Sequence, residues 1–310
     1  MKKVLVIHYS QSGQLTEIVK SITRPLLQSK KIELVFEELQ PAKPYPFPWP
    51  LIKFIDVFPE SVLMEPPEMK PFLFDADTRF DLVLLAYQVW FLSPSLPVTG
   101  FLKSTKALVM KDVPIITIVN CRDKWLMAQE KVKESLRRIG GKLIDNVALV
   151  HQGNPITTLI TTLRWLWAGK KEGFWKIFPP AGVSDDDIRG AERFGEAILH
   201  ALETGEIDKG KPVLKGMGAV KVDADIIQQE EVAQRNFFVW AKILRAAGRQ
   251  GEWKRLPFLI LFMLYLSSLI LISIPASVVF KLIVNPLRKK ALQKKIEYYE
   301  KPSGSSILHK

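Results

Sequence analysis

From the amino terminus to about residue 205, short unbroken apolar runs alternate with longer stretches in which apolar positions recur every three or four residues. Unbroken apolar runs suit strands buried on both faces, and the 3.6-residue spacing suits helices laid over them. The pattern predicts strands over Lys3 to His8, Ile32 to Glu37, Leu82 to Ala86, Pro114 to Val119 and within Asn146 to His151. Between them it predicts a helix opening near Gly13, with Leu15, Ile18, Val19 and Ile22 on one face, a helix over Gly100 to Val109, and a helix over Met127 to Ile139. Gly140 and Gly141 supply a left-handed cap for the third of these. A last helix starts at Ser184, sets Asp185, Asp186 and Asp187 against the positive end of its dipole, and stops at Gly205. Strands and helices in this alternation build a doubly wound α/β domain on a parallel sheet.

Two stretches exceed a minimal domain of this kind. Residues 41–72 hold nine prolines with Tyr45, Phe47, Trp49, Phe54, Phe58 and Phe72 among them, which forbids long helices and predicts an extended loop studded with aromatic rings. Residues 155–183 add Trp165, Trp167, Phe174, Trp175 and Phe178 beside Arg164, Lys170 and Lys171. These insertions either extend the core or form lids around an apolar ligand, with Trp and Tyr suited to the headgroup level of a membrane. Residues 206–255 read as a connector carrying an amphipathic helix over 226–247.

From Leu256 to Phe280 there is no charged side chain, and at about 1.5 Å per residue the stretch is long enough to cross roughly 30 Å of hydrocarbon. Charge sharpens this picture. The chain carries 44 Lys plus Arg against 32 Asp plus Glu, a net charge of +12, and residues 251–310 hold ten of those cations against three acids. The basic tail over 281–310, with Arg288, Lys289, Lys290, Lys294 and Lys295, abuts the apolar segment and suits anionic lipid headgroups, so no nucleic-acid partner is expected. Because Arg245, Arg249, Lys254 and Arg255 lie on the other flank, the positive-inside bias asks for both ends on the cytoplasmic side. A bend at Ser267-Ser268 or at Pro275 would allow a monotopic, re-entrant or in-plane anchor instead of a single span. The amino terminus has no segment with the length of a secretory signal core. The lone Cys121 and four histidines exclude a disulfide framework and a Cys-rich metal site, so no metal is expected. The expected place is the cytoplasmic face of a bacterial inner membrane, anchored through the C-terminal apolar segment.

Three segments carry candidate chemistry, each at the carboxyl end of a predicted strand, where open α/β sheets bind ligands. Ser10-Gln11-Ser12-Gly13-Gln14-Leu15-Thr16 is a hydroxyl-rich turn opening a helix, able to hold a dianionic phosphate on backbone amides or simply to cap the helix. Tyr87-Gln88-Val89-Trp90-Phe91 follows the third strand, and Asn120-Cys121-Arg122, with Trp125 beyond, follows the fourth.

These segments resemble the flavodoxin-like FMN-binding family, with a five-stranded parallel sheet in the order 2-1-3-4-5. Ser10, Ser12 and Gly13 match its phosphate loop, while Gln14 and Leu15 replace the usual Asn and Thr and Thr16 supplies a displaced hydroxyl. The resemblance implies FMN as cofactor, Trp90 as the ring that stacks on the isoalloxazine, and Asn120, Cys121, Arg122 and Trp125 at its edge. It covers residues 1–205. The aromatic insertions, the membrane segment and the Cys121-Arg122-x-x-Trp125 loop look like a bacterial group tied to dialkylresorcinol biosynthesis. Members are often labelled condensing enzymes and are better understood as flavin-dependent aromatases. That likeness implies oxidation of a lipophilic dialkyl-cyclohexanedione to the resorcinol, with Tyr87, Arg122 and His151 as candidate catalytic groups. Alternatives are a membrane-associated NAD(P)H-dependent quinone or flavin reductase, and a non-catalytic electron carrier or scaffold. A homodimer is compatible with all of these readings.

Overall fold

The computed structural model describes residues 1–75, 77–279 and 289–304. Strands β1 (Lys2–His8), β2 (Ile32–Glu38), β3 (Leu82–Trp90), β5 (Pro114–Cys121) and β6 (Lys142–Val150) pair in the order β2-β1-β3-β5-β6, all parallel. Leaving aside the two-residue β4 (Ser93–Pro94), this is the flavodoxin-like order, with its change of direction between β1 and β3. Val4 to Ile7 and Leu82 to Tyr87 are fully buried, so the middle of the sheet is covered on both faces.

Helix α1 (Gln14–Gln28) buries the predicted face of Leu15, Ile18, Val19 and Ile22. It lies so close to α8 (Glu192–Thr204) that a Cβ on Gly195 would sit 1.9 Å from the carbonyl oxygen of Ile22. Only a glycine permits that approach. Helix α5 (Leu126–Ile139) ends at Gly140 with φ 85°, the expected left-handed cap.

Several elements differ from the periodicity. The helix expected over Gly100 to Val109 is α4 (Leu96–Leu102) followed by a 3₁₀ turn over Thr105–Met110, because Pro97 in the first turn starts the helix early. The proline-rich insertion is not extended throughout: it contains two short helices, α2 (Leu51–Asp56) and α3 (Phe58–Leu63), with a cis peptide between Phe47 and Pro48. The second insertion contains a 14-residue helix, α6 (Pro155–Ala168), capped by the side chain of Asn154. The final helix of the domain is two: α7 (Asp185–Gly190), capped by Ser184, and α8, with Ala191 between them.

The connector carries α9 (Ala224–Ala247), and the apolar segment forms α10 (Leu256–Val279). Trp253–Leu271, with mean hydropathy 1.7, is long and apolar enough to cross a membrane. Helix α10 runs without interruption through Ser267, Ser268 and Pro275, so the chain does not break there into two arms; Phe280, the expected end, lies outside the described residues. Arg255 is not a free flanking cation. It is fully buried, with Nη1 and Nη2 each 2.8 Å from a carboxylate oxygen of Glu60 and Nε 3.2 Å from Asp56. The basic tail is likewise partly spent within the molecule: in α11 (Lys289–Glu300), Lys295 pairs with Glu231 of α9 at 2.7 Å.

Candidate active site

The carboxyl ends of β1, β3 and β5 converge on one cleft, lined by Gln11, Ser12, Gln14, Gln88, Val89, Trp90, Phe91, Asn120, Cys121, Arg122 and His151. Both insertions close it from the other side, through Phe47, Trp49 and Phe54 of the first and Thr162, Trp165 and Leu166 of the second. A short hairpin shapes the middle segment. Val89 and Trp90 continue β3 and pair with Pro94 and Ser93, and the turn between them is Phe91 and Leu92, both left-handed at φ 49° and 57°. Gln88, Val89 and Trp90 therefore stand on a strand, not on a loop.

The polar wall is cross-braced. The Gln14 side chain donates to Val183 O at 3.1 Å and accepts from Val183 N at 3.0 Å and from Asn120 Nδ2 at 3.4 Å. It ties the first segment to the third and both to the end of the second insertion. The Gln11 side chain donates to the carbonyls of Tyr45 and Pro46, holding the proline-rich insertion over the turn, while its backbone N–H donates to Gln88 Oε1 at 2.9 Å.

At the opening of α1, the N-cap Gly13 is left-handed with φ 84°, has open space around its missing Cβ and offers no side-chain cap of its own. Ser10 Oγ accepts from Thr16 N at 3.4 Å, which places Ser10 as a brace of the first turn. Leu15 is core.

The aromatic wall is a cluster of edge-on rings. Trp90 has its centroid 5.1 Å from Tyr45, 5.7 Å from Trp49 and 6.0 Å from Tyr9, each near perpendicular, as ring quadrupoles favour. It lines the cleft but is only 8 % exposed. Burial holds the Tyr9 and Tyr45 hydroxyls protonated, their pKa pushed upward.

His151 and Arg122 meet at the cleft; Tyr87 does not. His151 Nδ1 lies 3.2 Å from Thr162 Oγ1, and its backbone N–H donates to the carbonyls of Cys121 and Arg122. Burial, aided by the Arg122 charge, lowers its pKa to about 4, so the ring is neutral near pH 7. Arg122 pairs with Asp123 at 3.1 Å. Tyr87 is fully buried, and its hydroxyl donates to Gln129 Oε1 at 2.6 Å at the head of a chain that continues through Thr117 to Asn146. Burial raises the Tyr87 and Cys121 pKa values well above normal, which keeps the thiol protonated and unreactive. Trp125 is buried beside the start of α5 and is not in the lining.

Sequence reasoning missed Glu230. This fully buried residue of α9 accepts from the amides of Leu126 and Met127 at 3.1 and 2.8 Å, capping α5 directly after the third segment. No local pattern pairs a carboxylate with a helix start a hundred residues away. The aromatic wall had a signal, the density of rings in both insertions, but not which rings face inward.

No family model matches the chain, and no curated protein matches it by sequence. Among solved structures it is similar to a flavoprotein in complex with FMN from Lactobacillus acidophilus, at 18% identity over 48% of this chain and 93% of that one, with a TM-score of 0.39. It is also similar to a flavodoxin from the domain Archaea, at 11% identity over 65% of this chain and 99% of the other, with a TM-score of 0.36.

Proposed function

We propose that this protein is an FMN-dependent oxidoreductase that takes a lipophilic substrate at the cytoplasmic face of a membrane. The observation that carries the reading is the cleft itself. A phosphate-compatible helix start, three strand ends and two aromatic insertions enclose one space at the place where doubly wound sheets bind ligands. The FMN-bound neighbour and the resemblance of Ser10, Ser12 and Gly13 to a flavin phosphate loop support the same cofactor.

The residues present fit FMN at the phosphate end. The start of α1, whose N-cap Gly13 carries no side chain, and the open space there suit a dianion, and Ser12 lines the cleft beside them. The cleft measures about 170 Å³. Cofactor-sized pockets run to roughly 300–1,000 Å³. A bound flavin therefore extends into the mouth or pushes the aromatic wall outward. Bound there, FMN supplies hydride acceptance. Neutral His151 offers a ring nitrogen to accept a proton from substrate, and Arg122 can balance negative charge that develops on it.

The aromatic wall also supports an apolar substrate. Phe54 in the cleft lining packs on Phe91 at 4.9 Å, Phe91 on Phe58 at 5.2 Å, and Phe58 on Phe262 of α10 at 4.1 Å. Apolar contact is thus continuous from the cleft to the root of the membrane helix. The substrate that accords with these features and with the resemblance is a dialkyl-cyclohexanedione, oxidised to a dialkylresorcinol.

The test is spectroscopic. Detergent-purified protein binds FMN, and Ser12→Asp, which sets like charge beside the phosphate, weakens binding by at least about tenfold, or about 1.4 kcal/mol. Anaerobic addition of a dialkyl-cyclohexanedione bleaches the flavin without nicotinamide. Absence of any FMN affinity would overturn the reading in favour of a scaffold, and bleaching only by NAD(P)H would replace the substrate by a quinone or a second flavin.

A further inference from the structure

The chain is fastened to the same globular body at the start of α10 and again in α11, after it. At its root, buried Arg255 binds Glu60 through two 2.8 Å contacts and the Asp56 carbonyl at 2.9 Å, while Leu259 and Phe262 are buried against α3 and α9. After α10, helix α11 packs on that body. Leu292 and Tyr299 of α11 are buried, Lys295 pairs with Glu231, and the Tyr298 hydroxyl donates to Glu130 at 2.8 Å. A latch on the sheet edge follows: fully buried Ser303 accepts from the Asn146 amide at 2.7 Å and donates to the Asn146 carbonyl at 2.9 Å.

We infer that α10 is a two-ended, monotopic anchor that lies in one leaflet of an anionic bilayer, with the globular body holding both of its ends at the same membrane face. The inference rests on the membrane part of the reading above and not on the flavin. As a helix, α10 measures about 36 Å, enough to span. If it did span, the twelve residues between Val279 and Leu292 would have to recross the hydrocarbon. As a helix they reach only about 18 Å, short of the roughly 30 Å required. Extended, they would expose unpaired backbone and the charges of Lys281 and Arg288 to lipid. Neither arrangement is stable, so the helix does not cross.

Lipid is the occupant that its exposed side chains fit. Leu259 and Phe262 face protein, whereas Phe258, Ile260, Leu261 and Leu264 are 41 to 62 % exposed. Trp253, 78 % exposed, stands at the head of the helix as an interfacial anchor. Exposed Lys254 and Arg249 before the helix, and Lys290 and Lys294 after it, supply the charge that anionic headgroups complement.

Single substitutions Lys254→Cys and Lys294→Cys in the full chain test the topology, with the wild-type chain and its buried Cys121 as background. In intact cells and again after lysis, a membrane-impermeant maleimide labels the two positions together. Labelling of one before lysis and of the other only afterwards would establish a single span and overturn the inference. A bismaleimide linker joins Glu231→Cys to Lys295→Cys in isolated membranes; no cross-link, with both positions reactive, would remove the returning tail. Purified wild-type protein co-sediments with vesicles of phosphatidylglycerol and phosphatidylethanolamine. A protein that ignores these vesicles and forms a detergent-sensitive dimer would show that the exposed face of α10 covers a second copy instead.

Discussion

On the sheet side of the cleft the side chains of Gln14, Gln88 and Asn120 are placed by hydrogen bonds to backbone groups and to each other, whereas on the insertion side, tethered through its backbone, the side chains of Tyr45, Trp49, Phe54 and Trp165 meet other rings. Hydrogen bonds weaken steeply when their geometry shifts, whereas ring pairs are favourable both offset-stacked and edge-to-face over a range of centroid distances. The sheet side therefore fixes where a ligand's polar end lies, and the insertion side can adjust its volume to what enters.

The largest test of this contrast is Trp49→Ala. Trp49 is 3 % exposed and touches Tyr45, Phe54 and Trp90, so its loss removes the keystone of the ring cluster. A buried Trp replaced by Ala costs about 3–5 kcal/mol. Chemical denaturation checks this, and a cost below about 1 kcal/mol would mean that the insertion is an independent flap.

Gln14→Ala acts on the other side. It leaves the buried N–H and C=O of Val183 unpaired, at about 1–3 kcal/mol for each group. Proteolysis of the second insertion should quicken in step with the stability loss. An insertion that stays resistant would show that Gln14 is not its tether.

Two buried ionisable groups, His151 in the cleft and Glu230 behind the third segment, give stability a pH dependence. The folded protein holds His151 at about 4, against 6.5 for a free histidine, because burial disfavours its charge. Its contribution to stability is complete above the free value and is lost as pH falls through about 4. Glu230 is raised by burial to about 7 from 4.5, although the amides of Met127 and Leu126 pull the other way. Its contribution is complete below the free value and is lost as pH rises through about 7. His151→Gln should flatten the acid limb of the stability profile and Glu230→Gln the neutral limb. Parallel profiles for both variants would refute the assignment.

The smallest expected effect belongs to Gln88→Ala. It frees the Gln11 amide and costs about 1 kcal/mol of stability. Affinity for FMN should not fall with it, because the released N–H is that of Gln11, itself part of the phosphate turn, and becomes available to a bound phosphate. A matching fall in both would mean that Gln88 contacts the flavin itself.

Apolar periodicity located the five strands and the buried stripe of α1, and glycine identity the cap at Gly140, since each depends on residues a turn or a strand apart; the last strand nevertheless begins at Lys142, before the expected Asn146, and β3 runs past the expected Ala86 to Trp90. The three candidate segments were equally legible, because strand ends in a doubly wound sheet converge whatever their sequence. Contacts between distant residues were not legible. Tyr87 alternates with Gln88 along β3, and only the packing of α5 decided that its hydroxyl would meet Gln129 inside the core. Arg255 reads as one more cation before an apolar helix, and only the fold of α2 and α3 set two carboxylates around it. The tail reads as a basic extension, and its latch depends on one serine reaching the outer edge of β6, where among the described residues no further strand pairs with the backbone of Asn146. Local spacing is written in the chain, but the partner that satisfies a buried polar group is chosen by three-dimensional proximity, which no spacing encodes.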